Sequence, residues 1–392
     1  MKKRLKLIYV LSMITVIAII IVLVYPKKRI KDNLNPFFER QIVSALDLNY
    51  INADSLYSGP FSRIFNDTIV GHWVNKSFDS SFYFVQSLKN PHYKKLIDDK
   101  GIIDPNNTGN PCAICVTDID LYKDGALYFP RFGNNTMYKL STDGALKEFF
   151  KRHQTALFYA DKLLFYRNKT VIISKNGVYV FDIRSEKLLW KQAYDLNNSL
   201  GVVIDNKLIF TFNDEKDRNH LKAIIECIDL DNLTVSWTKE IKNTVVYDAN
   251  LIDLNQYIFS NRNHEIVIPT LKTLLVFDLN NGVIKWQYDW NNPSFTCRPF
   301  ALDYDQIYFS NGKALLCYNI NNNSKTWQID HASLNGVYKS NVVGHTDDYK
   351  SYIIIDKSNG KIKTKITNPF LKDINFQFIN KYILINRTVL YK

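Results

Sequence analysis

Phe277-Asp-Leu-Asn-Asn-Gly-Val-Ile-Lys-Trp286 is the stretch on which the reading of this chain turns. An apolar residue and an Asp-Leu pair lead into Asn-Asn-Gly, residues that tolerate positive φ, and an alternating segment then ends in a large ring. That order describes strand, tight turn, strand. The same ten-residue frame returns from Phe181 to Trp190, from Ile228 to Trp237 and from Tyr318 to Trp327. A fifth copy, from Ile355 to Thr364, puts Thr where Trp stood, and a longer, degenerate one runs from Tyr138 to Phe149. The last residues of the five regular copies are 47, 49, 41 and 37 residues apart.

Upstream of the copies lie further β-rich runs, such as Lys162-Leu-Leu-Phe-Tyr166, Lys207-Leu-Ile-Phe-Thr-Phe212 and Gln306-Ile-Tyr-Phe-Ser310, so each unit holds about four strands. Four strands at this period is the spacing of a β-propeller blade, in which each sheet packs face to face on the next around a channel. The expected fold is all-β, a β-propeller of four-stranded blades after an N-terminal transmembrane helix. The repeat favours seven blades and leaves six or eight open. The tail from Phe376 to Lys392 reads as the inner strands of a last unit without its outer strand. Ser81-Phe-Tyr-Phe-Val-Gln86 is expected to supply that strand and close the ring, because closure removes exposed edges.

The chain has 392 residues, 46% of them hydrophobic and 22% charged, which excludes a disordered polymer and allows a large core. Its net charge of +12 suggests a nucleic-acid partner until the charges are located. Lys2, Lys3, Arg4, Lys6, Lys27, Lys28, Arg29 and Lys31 all precede the first acidic residue, Asp32, and the rest of the chain carries only +4. No basic cluster stands out beyond residue 31, so nucleic acid is not the expected partner. Between the two basic flanks, Leu7 to Tyr25 is an apolar run long enough to span about 28 Å as a helix. It ends in Val24-Tyr25-Pro26-Lys27 rather than in small residues, as an uncleaved anchor does. The expected layout is a cytoplasmic tip, anchor and basic flank over 1–31, a membrane-proximal segment with a short helix and first strands over 32–110, and propeller repeats over 111–392 closed by the C-terminal strand. The expected location is the cell inner membrane, crossed once, with the bulk of the chain on the periplasmic, extracytoplasmic side.

The Asp-Leu, turn, Gly-Lys-x-x-Trp frame, closest in Asp278-Leu-Asn-Asn-Gly282-Val-Ile-Lys-Trp286, resembles the pyrroloquinoline-quinone-like (PQQ-like) propeller repeat over roughly residues 112 to 392. In that superfamily the tryptophan packs between neighbouring blades, so the resemblance implies docking roles for Trp190, Trp237, Trp286 and Trp327. The superfamily includes quinone-dependent dehydrogenases, a bacterial outer-membrane assembly lipoprotein and propeller-type arylsulfotransferases, so the fold alone selects no function. The lipoprotein would need a Cys just after the apolar segment, and the first here is Cys112. Quinone dehydrogenases would imply PQQ, a calcium-binding acidic cluster and a much longer chain. A weaker similarity to arylsulfotransferases rests on Thr117-Asp-Ile-Asp-Leu-Tyr-Lys-Asp-Gly-Ala-Leu-Tyr128, which makes Asp118 and Asp120 polar-site candidates. The histidine expected before Asp118 is replaced by Thr117.

Cys112-Ala-Ile-Cys115 has the spacing of zinc, redox and haem sites. Val116 stands where haem attachment needs His, no second ligand pair matches a zinc site, and a strand-like segment follows where a redox motif would open a helix. Cys112 and Cys115 therefore read as a disulfide or as two unreactive thiols. Among seven histidines, His345-Thr-Asp347-Asp348 forms the densest polar cluster, read chiefly as a water-exposed loop between blades and secondarily as a metal or acid/base site. No catalytic residue and no cofactor are expected; PQQ or a metal belongs only to the enzyme alternative. The expected function is binding: a membrane-anchored extracytoplasmic propeller presenting one face to a protein partner or polymer. The alternative is a propeller enzyme of the arylsulfotransferase-like or quinone-dependent kind.

Overall fold

The structure, a computed structural model, describes residues 41–42, 44–48, 63–65, 68–74, 81–87, 89, 94–98, 121–123, 125–131, 136–141, 143, 145–149, 160–174, 176–194, 197–214, 222–245, 264–289, 300–367, 376–379, 382–385 and 389–391. Beyond the helical residues at 41–42 and 44–45, its regular elements are antiparallel strands, and every sheet follows chain order. Among the described residues eight sheets succeed one another, over 63–98, 121–149, 160–193, 197–242, 265–289, 300–330, 332–367 and 376–391. Six have the four strands of a full blade, the lower of the counts the repeat left open, while the fifth and eighth have three among the described residues. The molecule is a β-propeller.

Burial along one sheet follows this architecture. In the fourth sheet, the third strand, Lys222–Asp229, is buried or half-buried throughout because neighbouring sheets cover both its faces, and it is apolar from Ala223 to Ile228 except at Glu226. The outermost strand, Thr234–Lys242, is mostly exposed around a buried Trp237. Separate core clusters fill the seams. Val171, Ile173 and Val180 of the third sheet meet Leu208, Phe210 and Leu230 of the fourth, and Ile209, Cys227 and Trp237 of the fourth meet Ile268, Phe277 and Leu279 of the fifth. Towards the axis the first strand of the third sheet, Ala160–Tyr166, lies against those of the second and fourth.

Two details depart from the sequence reading. The region 32–110 contains a complete four-stranded sheet of its own, and Ser81–Ser87 is its third strand, with one edge on Thr68–Val74 and the other on Lys94–Asp98. Both its edges are taken, so it does not clasp the C-terminal strands, which pair in the order Phe376–Ile379, Tyr382–Ile385, Val389–Tyr391. The first sheet escaped notice because 63–98 lacks the Asp-Leu…Trp frame. Ahead of it, the Leu46 amide donates to the Ile42 carbonyl at 3.0 Å, and Ile42, Leu46 and Leu48 pack on Tyr338, Tyr352 and Ile354 of the seventh sheet. The apolar run from Leu7 to Tyr25 lies outside the described residues, among which no helix is long and apolar enough to cross a membrane.

Candidate functional site

The repeat frame builds one face of the propeller. In the turn before the outermost strand of the third to seventh sheets, one carboxylate or amide oxygen accepts the backbone N–H groups that follow it. Asp182 Oδ1 accepts from Ser185 N at 2.8 Å, Asp229 Oδ1 from Asp231 N at 2.8 Å, and Asp278 Oδ1 from Asn280 N at 2.8 Å. Asn319 Oδ1 accepts from Asn321 N at 3.0 Å, and Asp356 Oδ1 from Ser358 N at 2.9 Å. This is the local bonding that places Asp and Asn in turns. The hydroxyl and amide of Ser358, with Lys363, hold the Asp356 carboxyl down to about 2. Four residues beyond the cap the chain takes a positive φ, at Glu186, Leu233, Gly282, Asn323 and Gly360.

The turn between the first and second strands of each sheet lies beside that frame. Leu230 N donates to Asn206 O at 2.8 Å, Ile320 N to Asp305 O at 2.8 Å, and Lys357 N to Ser340 O at 3.0 Å. Side chains on this face also join neighbouring sheets. Arg167 of the third sheet meets Asp231 of the fourth at 3.1 Å, and Asp303 of the sixth pairs with Lys357 of the seventh.

In five sheets the ladder skips one residue of the outer strand at the same place. The strand before the outermost one pairs with Trp190, Trp237, Trp286, Trp327 or Thr364 and then shifts register. A bulge re-aims the side chain beside it. Each indole then faces the next sheet. Trp237 Nε1 donates to Leu279 O at 2.9 Å, Trp327 Nε1 donates to Lys357 O at 3.1 Å, and Trp286 lies 5.7 Å from the Tyr318 ring. Trp190 packs in the cluster that holds Leu230 and Leu233. The four rings sit in seams between sheets.

The His345 cluster occupies the opposite face. His345 is 4% exposed and lies within the strand Asn341–Thr346, so its reading as part of a loop between blades is corrected: the sheet buries it. Asp347 and Asp348 do lie in an exposed turn, but one inside the seventh sheet, joining its second and third strands. His345 Nδ1 is 2.9 Å from Asn335 Oδ1, and its ring stacks on Tyr349 with centroids 4.7 Å apart. Asn335 is the extra residue where the strand Ala332–Tyr338 shifts register, a bulge with no sequence signature. Asp347 accepts from Ser333 Oγ at 3.1 Å, while Thr346 and Lys350 hold the Asp348 carboxyl below the usual range. A ring so enclosed fastens two strands of one blade. Cys112, Cys115, Asp118 and Asp120 lie outside the described residues. Among the described residues no three His, Cys, Asp or Glu side chains converge as a metal site.

Sequence reasoning also passed over a second buried polar contact, between Tyr194, just after the third sheet, and Glu226 in the fourth. Neither residue belongs to a motif, and the pair is 32 positions apart. Cys227 and Cys317 pair across the ladder with Trp237 and Trp327, and burial pushes both thiols up to about 12.

No family model and no curated protein matches the chain. Similar solved structures include a europium-containing methanol dehydrogenase, at 10% identity over 87% of this chain and 84% of that one, with a TM-score of 0.49. Sqt1 of Saccharomyces cerevisiae matches at 12% identity over 66% of this chain and 75% of its own, with a TM-score of 0.42. Quinohemoprotein alcohol dehydrogenase ADHIIG from Pseudomonas putida HK5 matches at 12% identity over 53% of this chain and 41% of its own, with a TM-score of 0.33.

Proposed function

We propose that this chain is a membrane-anchored, extracytoplasmic binding module that presents its capped-turn face to a protein partner or polymer. One observation carries the reading: five successive sheets repeat the same hydrogen-bonded turn frame while its exposed tips vary. The tips are Arg184-Ser185, Asp231-Asn232, Asn280-Asn281, Asn321-Asn322 and Ser358-Asn359. A fixed backbone carrying unlike polar side chains is ordered before a partner arrives, which lowers the entropy lost on binding. The anchor from Leu7 to Tyr25 would hold that face in the envelope compartment.

The test uses the full chain in its own membrane, with a photo-crosslinking residue at Asn322 or Ser358 and, as a control on the opposite face, at Lys313. A discrete adduct from the first two positions and none from Lys313 is expected. Equal labelling from all three, or release of the chain from membranes by salt alone, would overturn the reading. So would a tightly bound quinone or metal in the purified protein, which would favour the enzyme.

A further inference from the structure

The seam between the third and fourth sheets is almost wholly apolar, with Val178, Val180, Leu208, Phe210 and Ile228 at its centre. Tyr194 leaves the third sheet and lays its ring on the fourth, 5.2 Å from Phe210 and 5.1 Å from Phe212. Its hydroxyl donates to the carboxylate of Glu226, which is 5% exposed in the middle of Lys222–Asp229. The other carboxylate oxygen accepts from Thr238 Oγ1 at 3.3 Å, across the ladder on Thr234–Lys242.

The groups around this carboxyl are few. Its neighbour on the inner strand is Phe210, and its neighbour on the outer strand is Thr238. The ion pairs on this strand lie towards its two ends, Lys222 with Glu240 at 3.2 Å and Asp229 with Lys207 at 3.1 Å, and Cys227 lies in the seam cluster with the fifth sheet. Tyr194 is the one titratable group whose contact with Glu226 crosses the seam among the described residues. Two hydroxyls without a cation stabilise an ionised carboxylate poorly against the loss of water.

We propose that the Glu226–Tyr194 contact is a proton-dependent latch between the third and fourth sheets. The neutral carboxyl holds the seam closed, and loss of its proton to solvent leaves a desolvated charge that loosens the seam. Burial raises the Glu226 pKa above its ordinary value of 4.5, against the smaller opposing effects of Tyr194 and Thr238. A raised acid pKa means that the folded state binds the proton more tightly than the unfolded one. The stabilisation is therefore complete below 4.5 and is lost as pH rises through the folded value.

The experiment is amide hydrogen exchange on the full chain from pH 4 to 8, read as protection factors in Lys207–Asp214 and Lys222–Asp229. In the wild type, protection should fall by up to about tenfold per pH unit within the window. Glu226→Gln, which keeps the shape and cannot ionise, should retain high protection across it. Superimposable pH profiles for the two proteins would overturn the latch. Tyr194→Phe provides a second, independent reading. It removes a hydroxyl that favours the charged form, so the fall should move to higher pH; an equal loss of protection at every pH would mark the tyrosine as packing alone and overturn the proposal.

Discussion

Gly282 lies directly beneath the indole of Trp237: a Cβ at that position would come within 2.6 Å of the ring atom Cδ2. Gly360 stands in the same relation to Trp327, also at 2.6 Å. In both turns the glycine takes a positive φ, which it adopts without the steric cost a side chain brings. These two indoles are also the ones whose N–H reaches a carbonyl of the following sheet. A bare backbone at this point lets an indole descend far enough to bond.

Gly282→Ala and Gly360→Ala should each destabilise the protein by about 1 to 3 kcal/mol, the range for forcing a methyl into a packed seam. Thermal unfolding of each variant checks this. An unchanged midpoint would show that the indole swings aside freely.

Trp286 offers the converse case. It is 3% exposed and its indole N–H has no acceptor among the described residues, and the turn in the following sheet carries Asn323 where the other two carry Gly. Asn323→Gly should give this turn the bare backbone found beneath Trp237 and Trp327 and let the N–H bond form, raising stability by about 1 kcal/mol. The indole N–H resonance of Trp286 and the melting temperature should move together.

Cys227 and Cys317 are fully buried and their thiols are pushed up to about 12, so the reactive thiolate is scarce at neutral pH. Peptide mapping after alkylation at pH 8 should find both unmodified in the native protein and fully modified in denaturant. Ready native labelling at either would contradict the packing of Cys227 against Leu279 and of Cys317 beside Trp327.

Asp356 titrates on the acid side. Its folded pKa of about 2 lies below the ordinary 3.8, so its contribution is present above 3.8 and is lost as pH falls through about 2. Asp356→Asn keeps the turn acceptor and removes the charge. Its unfolding midpoint should change less between pH 4 and pH 2 than the wild type's, and equal acid sensitivity would show that the charge is not coupled to folding.

The repeat was legible because its chemistry is local. Asp278 caps its own turn, Gly282 takes its own φ, and Trp286 lies early in the strand that follows, so five sheets announce themselves in ten residues each. The sheet over 63–98 has no such turn, and its strands reveal themselves only in pairing; that is why Ser81–Ser87 looked free to close the ring. His345 failed for a related reason. Beside Thr346, Asp347 and Asp348 it has the composition of a loop, yet the ladder places it one residue inside a strand end and under Tyr349.

The amino-acid sequence by itself determined the unit: the hairpin, its turn chemistry and the place of the indole within it follow from interactions between residues within about ten positions. Only the tertiary structure decided what those units do to one another. The bulges that turn the indoles, the glycine beneath Trp237, the Asn335–His345 contact and the enclosure of Glu226 by Tyr194 each depend on partners brought together by pairing or by face-to-face packing. Burial is a property of that packing, and burial is what makes a carboxyl such as Glu226 sensitive to its proton.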